Sequence, residues 1–187
     1  MKVLIILGSV REQRQGHKAA LCIEKYAIQK GWETTVIDPM DYNLPLLDKR
    51  YSEMKDPSSQ LIQLHEHIEK ADGYILVTAE YNHGVPPALK NLLDHFYKEY
   101  FYKPSGIISY SAGSFGGIRA AEQLRLICAE LGMPAIRNSL PIPSIQKSLN
   151  EDGTPTDPAF DKRIESFLKE LDWYMNALKS QRALGLP

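Results

Sequence analysis

The feature that most constrains the fold is a strict alternation along the chain. Short, unbroken apolar runs take turns with longer stretches of helical periodicity. Val3-Leu4-Ile5-Ile6-Leu7, Thr34–Ile37, Tyr74–Thr78 and Ile107–Tyr110 are the clearest runs, and Ala135–Ile142 is a more polar fifth. Runs of this length without a polar face read as strands buried on both sides. Between them, Ala19, Ala20, Ile23, Tyr26 and Ala27 recur at helical spacing, as do Leu61, His65 and Ile68. Ala121, Leu124, Ile127, Cys128 and Leu131 do the same, and a last stripe runs from Phe160 to Leu178. Punctuation agrees with the pattern. Gly31 and Gly132 stand where helix C-caps belong, Ser58 or Ser59 caps a helix to about Lys70, and Pro86-Pro87 opens one through about Phe96. Tyr42–Pro57 and Ser144–Pro158 read as long connections.

Strands alternating with helices give right-handed crossovers and a parallel sheet. Five of each predict an α/β, flavodoxin-like, doubly wound sheet of order 2-1-3-4-5 in a single domain spanning 1–187. Ligands of such sheets sit beyond the carboxyl ends of the strands at the switch point. Attention therefore falls on three loops, after the first, third and fourth strands.

The first loop, Gly8–His17, leads from strand to helix. Free amides at the helix start, the Ser9 hydroxyl and the charges of Arg11 and Arg14 suit a phosphate. The loop is neither Gly-x-Gly-x-x-Gly nor a Walker sequence, which disfavours a dinucleotide fold and an NTPase. The second loop, Ala79-Glu80-Tyr81-Asn82-His83-Gly84, sets an aromatic beside open backbone, as a planar heterocycle requires. Lys90, Asn91 and Asp94 follow on a helix and either reach the site or fix the loop. The third loop, Ser111-Ala112-Gly113-Ser114-Phe115-Gly116-Gly117, is glycine-rich, so its backbone can approach a ligand or simply turn. Taken together, the three loops fit flavin mononucleotide, with phosphate in the first and the ring edge between the others.

Composition narrows the function. With 22 Lys+Arg against 23 Asp+Glu, the chain has no basic footprint for nucleic acid. Nor has it the strong acidic face of a docking carrier. Cys22 and Cys128 make no disulfide framework or metal knuckle and fit a reducing compartment. No apolar run approaches a membrane span. A cytoplasmic protein without a resident metal is expected. The aromatic run His95–Tyr102 reads as core or as subunit interface.

Three stretches resemble the NAD(P)H-dependent FMN reductases, a flavodoxin-like family that includes quinone, azo-dye and chromate reductases. They are Gly8-Ser9-Val10-Arg11, then Glu80-Tyr81-Asn82 with Pro86, Leu89-Lys90-Asn91 and Asp94, and Gly113–Gly117 leading into Ile118–Leu124. The likeness runs from about Lys2 to Pro143. It implies that Ser9 and Arg11, helped by Arg14 and the amides around Gly16, hold the FMN phosphate. It implies that Glu80, Tyr81, Asn82 and His83 line the ring, largely through main chain. Ser111, Ala112, Gly113, Phe115 and Gly116 would meet its pyrimidine side. The chain departs from the family at Ala79, where proline is common, and at Arg14, where a small hydroxyl residue often stands. The implied reaction passes hydride from NADPH or NADH through bound FMN to a quinone, azo compound, metal oxyanion or free flavin. No catalytic acid or base is required. A homodimer or homotetramer is implied as well. Two other readings compete: a flavodoxin-type carrier, whose usual Thr/Ser-x-Thr-Gly-x-Thr loop is absent, and a flavin-free binding module, against which Ser9 and Arg11 argue.

Overall fold

A computed structural model describes all 187 residues. Five strands form one parallel sheet: β1 (Lys2–Leu7), β2 (Glu33–Ile37), β3 (Gly73–Ala79), β4 (Ser105–Tyr110) and β5 (Ala135–Ile142), in the order β2-β1-β3-β4-β5. This is the predicted order. The central strands are buried on both faces because helices cover both. Side chains alternate between two cores. Val3, Ile5 and Leu7 of β1 pack beneath α1 (Gly16–Gln29) and the C-terminal helix, while Leu4 and Ile6 face α2 (Ser59–Lys70), α3 (Pro87–Asp94) and α4 (Ile118–Glu130).

Most expected boundaries hold. Gly31 has a φ of +81° and follows α1 as a left-handed cap. The Ser58 hydroxyl accepts from the Leu61 amide at 3.2 Å and starts α2. Two expectations change. The helix opened by Pro87 stops at Asp94 rather than Phe96, and a short turn at Lys98–Tyr100 follows. The polar segment Ser144–Pro158 is not a plain loop. It holds the short helix α5 (Ile145–Ser148) and closes on itself through a Leu149–Pro155 bridge before α6 (Ala159–Arg182).

The chain enters the sheet at β1, adds β2 at one edge, and then runs through β3 and β4 to β5 at the other. β1 pairs with β2 on one side and β3 on the other, and α1 and α2 lie on opposite faces. The loops after β1, β3 and β4 therefore emerge together at one edge. No helix is long and apolar enough to cross a membrane.

Candidate functional site

Those three loops enclose a cleft of about 430 Å³, within the range of ligand sites. Ser9, Arg11 and Arg14 line it from the first loop, Glu80 and Tyr81 from the second, and Ser111 and Ala112 from the third.

Ser9 is only 3% exposed. Its hydroxyl is hydrogen-bonded to that of Tyr81 and accepts from the Arg11 amide at 3.3 Å, so the first two loops are tied together. The Arg11 guanidinium lies 5.6 Å from the centre of the Tyr81 ring and has no carboxylate partner. Its charge is therefore available to a ligand. Arg14 is placed differently. It donates to the Ser9 carbonyl at 3.1 Å and forms an ion pair with Asp38, which stands just past the end of β2. That makes Arg14 a brace of the phosphate loop as well as a wall of the cleft. The start of α1 has no side-chain cap, so its first amides keep free donors.

In the second loop, Glu80 lines the cleft while its carboxylate points to the start of α4. It accepts from the Arg119 amide at 3.0 Å and the Ala120 amide at 3.4 Å, and it meets the Arg119 guanidinium at 3.4 Å. Glu80 thus caps α4, whose own N-cap residue, Gly117, has no side chain to do so. Asn82 and His83 do not line the cleft. They are the corners of a tight turn, with φ of +49° and +67°, across which Tyr81 and Gly84 exchange backbone hydrogen bonds of 3.0 and 2.9 Å. Asn91 fixes a loop, the alternative left open from the sequence. Its side chain donates to the Pro45 carbonyl at 2.8 Å and accepts from the Leu47 amide at 2.9 Å.

The third loop is held from behind by α5. The carbonyl of Ser111 accepts from the Ile145 amide at 3.1 Å, that of Ala112 from the Gln146 side chain at 3.3 Å, and that of Gly113 from the Ser144 amide at 2.9 Å. With its carbonyls engaged, the loop offers a ligand its N–H groups, which suits an electron-rich edge. Its glycines divide. Around Gly113 no atom lies within 4 Å of where a Cβ would stand, whereas Gly116 packs against Ile142 and Pro143. Phe115 is 63% exposed and stacks under Arg119 at 4.7 Å, outside the cleft wall.

The structure adds residues that sequence reasoning missed. Ile145 and Gln146 reach the cleft from the segment read as a plain connection. Tyr110 lines it too. Tyr110 is two residues beyond Ile108, so strand alternation points it toward α1, a signal present in the sequence. Its hydroxyl and the side-chain oxygen of Gln15 are buried without a hydrogen-bond partner. Orphaned polar atoms in a cleft that also holds a free arginine and an uncapped helix start fit a phosphorylated, hydroxyl-rich group such as FMN.

Comparison with known proteins agrees. The family described as NADPH-dependent FMN reductase matches residues 1–147. The chain belongs to that family. It is an oxidoreductase that uses FMN and NAD(P)H. An NAD(P)H-dependent FMN reductase from a Nectria species is 35% identical over 132 residues, 66% of this chain and 65% of its own. An NADPH azoreductase from a Bacillus species is 28% identical over all of this chain and 99% of its own. A quinone reductase from Pseudomonas putida is 26% identical over 89% and 94%. Among solved structures, the NAD(P)H:acceptor oxidoreductase FerB from Paracoccus denitrificans superposes with a TM-score of 0.76 at 24% identity, covering 96% of this chain and 97% of its own. That likeness supports the fold.

Proposed function

We propose that this chain reduces a small planar conjugated acceptor of the quinone type with electrons from NAD(P)H, using FMN held in the cleft. The observation that carries the reading is the division of labour between the walls. Free cation and free helix amides lie on the α1 side, an aromatic lies on the loop after β3, and the Ala112 and Gly113 N–H groups lie on the loop after β4. Ser9, Arg11 and the start of α1 bind the phosphate. Tyr81 packs on the ring, and the N–H groups of Ala112 and Gly113 stabilise negative charge at its edge. FMN, when bound, supplies the hydride chemistry itself. The quinone and azo reductases among the relatives support a planar conjugated acceptor.

The exposed apolar groups Val10, Met40 and Leu46 beside the first loop support a homodimer or homotetramer with contacts near the cleft. Two buried free cysteines support a cytoplasmic location.

The reading is tested by loading the protein with FMN, removing the excess and adding NADPH without oxygen. Retained flavin absorbance should bleach in proportion to NADPH and return when a benzoquinone is added. Retained flavin that never bleaches would point to an electron carrier instead. Failure to retain flavin would overturn the proposal.

A further inference from the structure

The Tyr110 hydroxyl stands out among the atoms of the cleft. The residue is 5% exposed, lines the cleft, and its oxygen makes no hydrogen bond. Orphaning a buried hydroxyl destabilises the fold, so the position calls for a partner that binds there. The surroundings define that partner. A Cβ on Gly16 would sit 2.7 Å from the Tyr110 oxygen, so the first residue of α1 passes directly against the hydroxyl. The Ser9 hydroxyl and the Gly16 amide lie near it but outside hydrogen-bond geometry. Arg14 is held on the Ser9 carbonyl, and the helix start carries no cap. Gln15, with its own orphaned side-chain oxygen, stands at the same rim. The lining carboxylates are elsewhere engaged or in solvent: Glu80 caps α4 and Glu12 is exposed. Apart from the Gln15 oxygen, what faces this corner is a donor.

We propose that Tyr110 is a phosphate-binding residue, its hydroxyl donating to a phosphate oxygen of the cofactor from the β4 side while α1 amides donate from the other. Burial pushes its phenol up to about 12, so it stays a donor at every pH at which the enzyme works. The inference rests on the FMN reading and deepens it. It also explains a glycine at position 16: a side chain there would displace the hydroxyl from the corner.

The test uses the flavin-free full chain as wild type, Tyr110→Phe and Tyr100→Phe. Tyr100 is the control, because its hydroxyl is also buried without a partner but lies in the opposite core. Each protein is titrated with FMN and with riboflavin by fluorescence quenching, and melted with and without inorganic phosphate. Both variants should melt no lower than wild type, since each loses only an orphaned group. Tyr110→Phe should bind FMN about tenfold or more weakly and riboflavin as wild type does. It should also lose most of the stabilisation that phosphate gives. Tyr100→Phe should bind both flavins normally. Unchanged FMN affinity in Tyr110→Phe, or an equal loss for riboflavin, would overturn the proposal. If the wild type binds neither flavin, the cofactor reading fails instead, and phosphate-dependent melting alone decides the role of Tyr110.

Discussion

Replacing Glu80 by alanine is expected to lower stability by about 2 kcal/mol and to weaken FMN binding at least tenfold. The carboxylate is one fastening between two loops of the cleft. It accepts from the Arg119 and Ala120 amides, the exposed donors at the start of α4, and pairs with the Arg119 guanidinium. Gly117 leaves that helix without a local cap, so no neighbour substitutes for Glu80. A negative charge at a helix start also meets the positive end of its dipole, which the neutral side chain of alanine forfeits. The flavin effect is indirect: with Glu80 gone, the loop after β3 is held to α4 only through the Val85 amide and the Gln123 side chain, and Tyr81 moves with it. Melting should fall by about 4–8 °C for a chain of this size. Glu80→Gln keeps an acceptor oxygen and should fall between the two proteins in both measurements. An alanine variant that melts as wild type does would show that α4 is capped some other way.

Much of the scaffold was legible because it depends on local pattern. Apolar runs without a polar face at β1, β3 and β4 read as strands buried on both sides, and their helical spacers force parallel order. Their ends locate the loops, so Ser9, Arg11, Glu80, Tyr81, Ser111 and Ala112 converge where the topology requires. What the sequence hid depends on tertiary partners. Arg14 reads as a phosphate ligand, and its pairing with Asp38 at the end of β2, which makes it a brace of the loop as well, has no sequence signal. Asn82 and His83 read as lining the ring, whereas the tight turn that they form beside Tyr81 shows only in their positive φ. Ile145 and Gln146 have no signature, because α5 earns its place in the cleft only through hydrogen bonds to carbonyls of the third loop.

Glycine shows the same divide most sharply, and it gives the second large effect. Gly117→Ala should cost about 3 kcal/mol, whereas Gly31→Ala should cost about 1 kcal/mol. The two have nearly the same backbone, with φ of +76° and +81°. That conformation alone penalises alanine by roughly 1–2 kcal/mol. Their surroundings differ. At Gly31 no atom lies within 4 Å of a Cβ, so only the backbone term remains. At Gly117 a Cβ would stand 2.7 Å from the Tyr110 carbonyl oxygen and 2.8 Å from its amide nitrogen. Main chain of a central strand cannot yield as a flexible side chain can, so the start of α4 must move. The displacement reaches the cleft, because Tyr110 lines it and Glu80 caps the same helix. Gly117→Ala should therefore lose flavin affinity along with stability, while Gly31→Ala melts slightly lower and binds FMN normally. Gly113 completes the comparison. It faces open space at an ordinary backbone angle, so alanine there should leave melting unchanged, and any loss of FMN affinity would report direct contact with the ligand. Equal melting of the Gly117 and Gly31 variants would mean that the third loop is not packed on β4 as described.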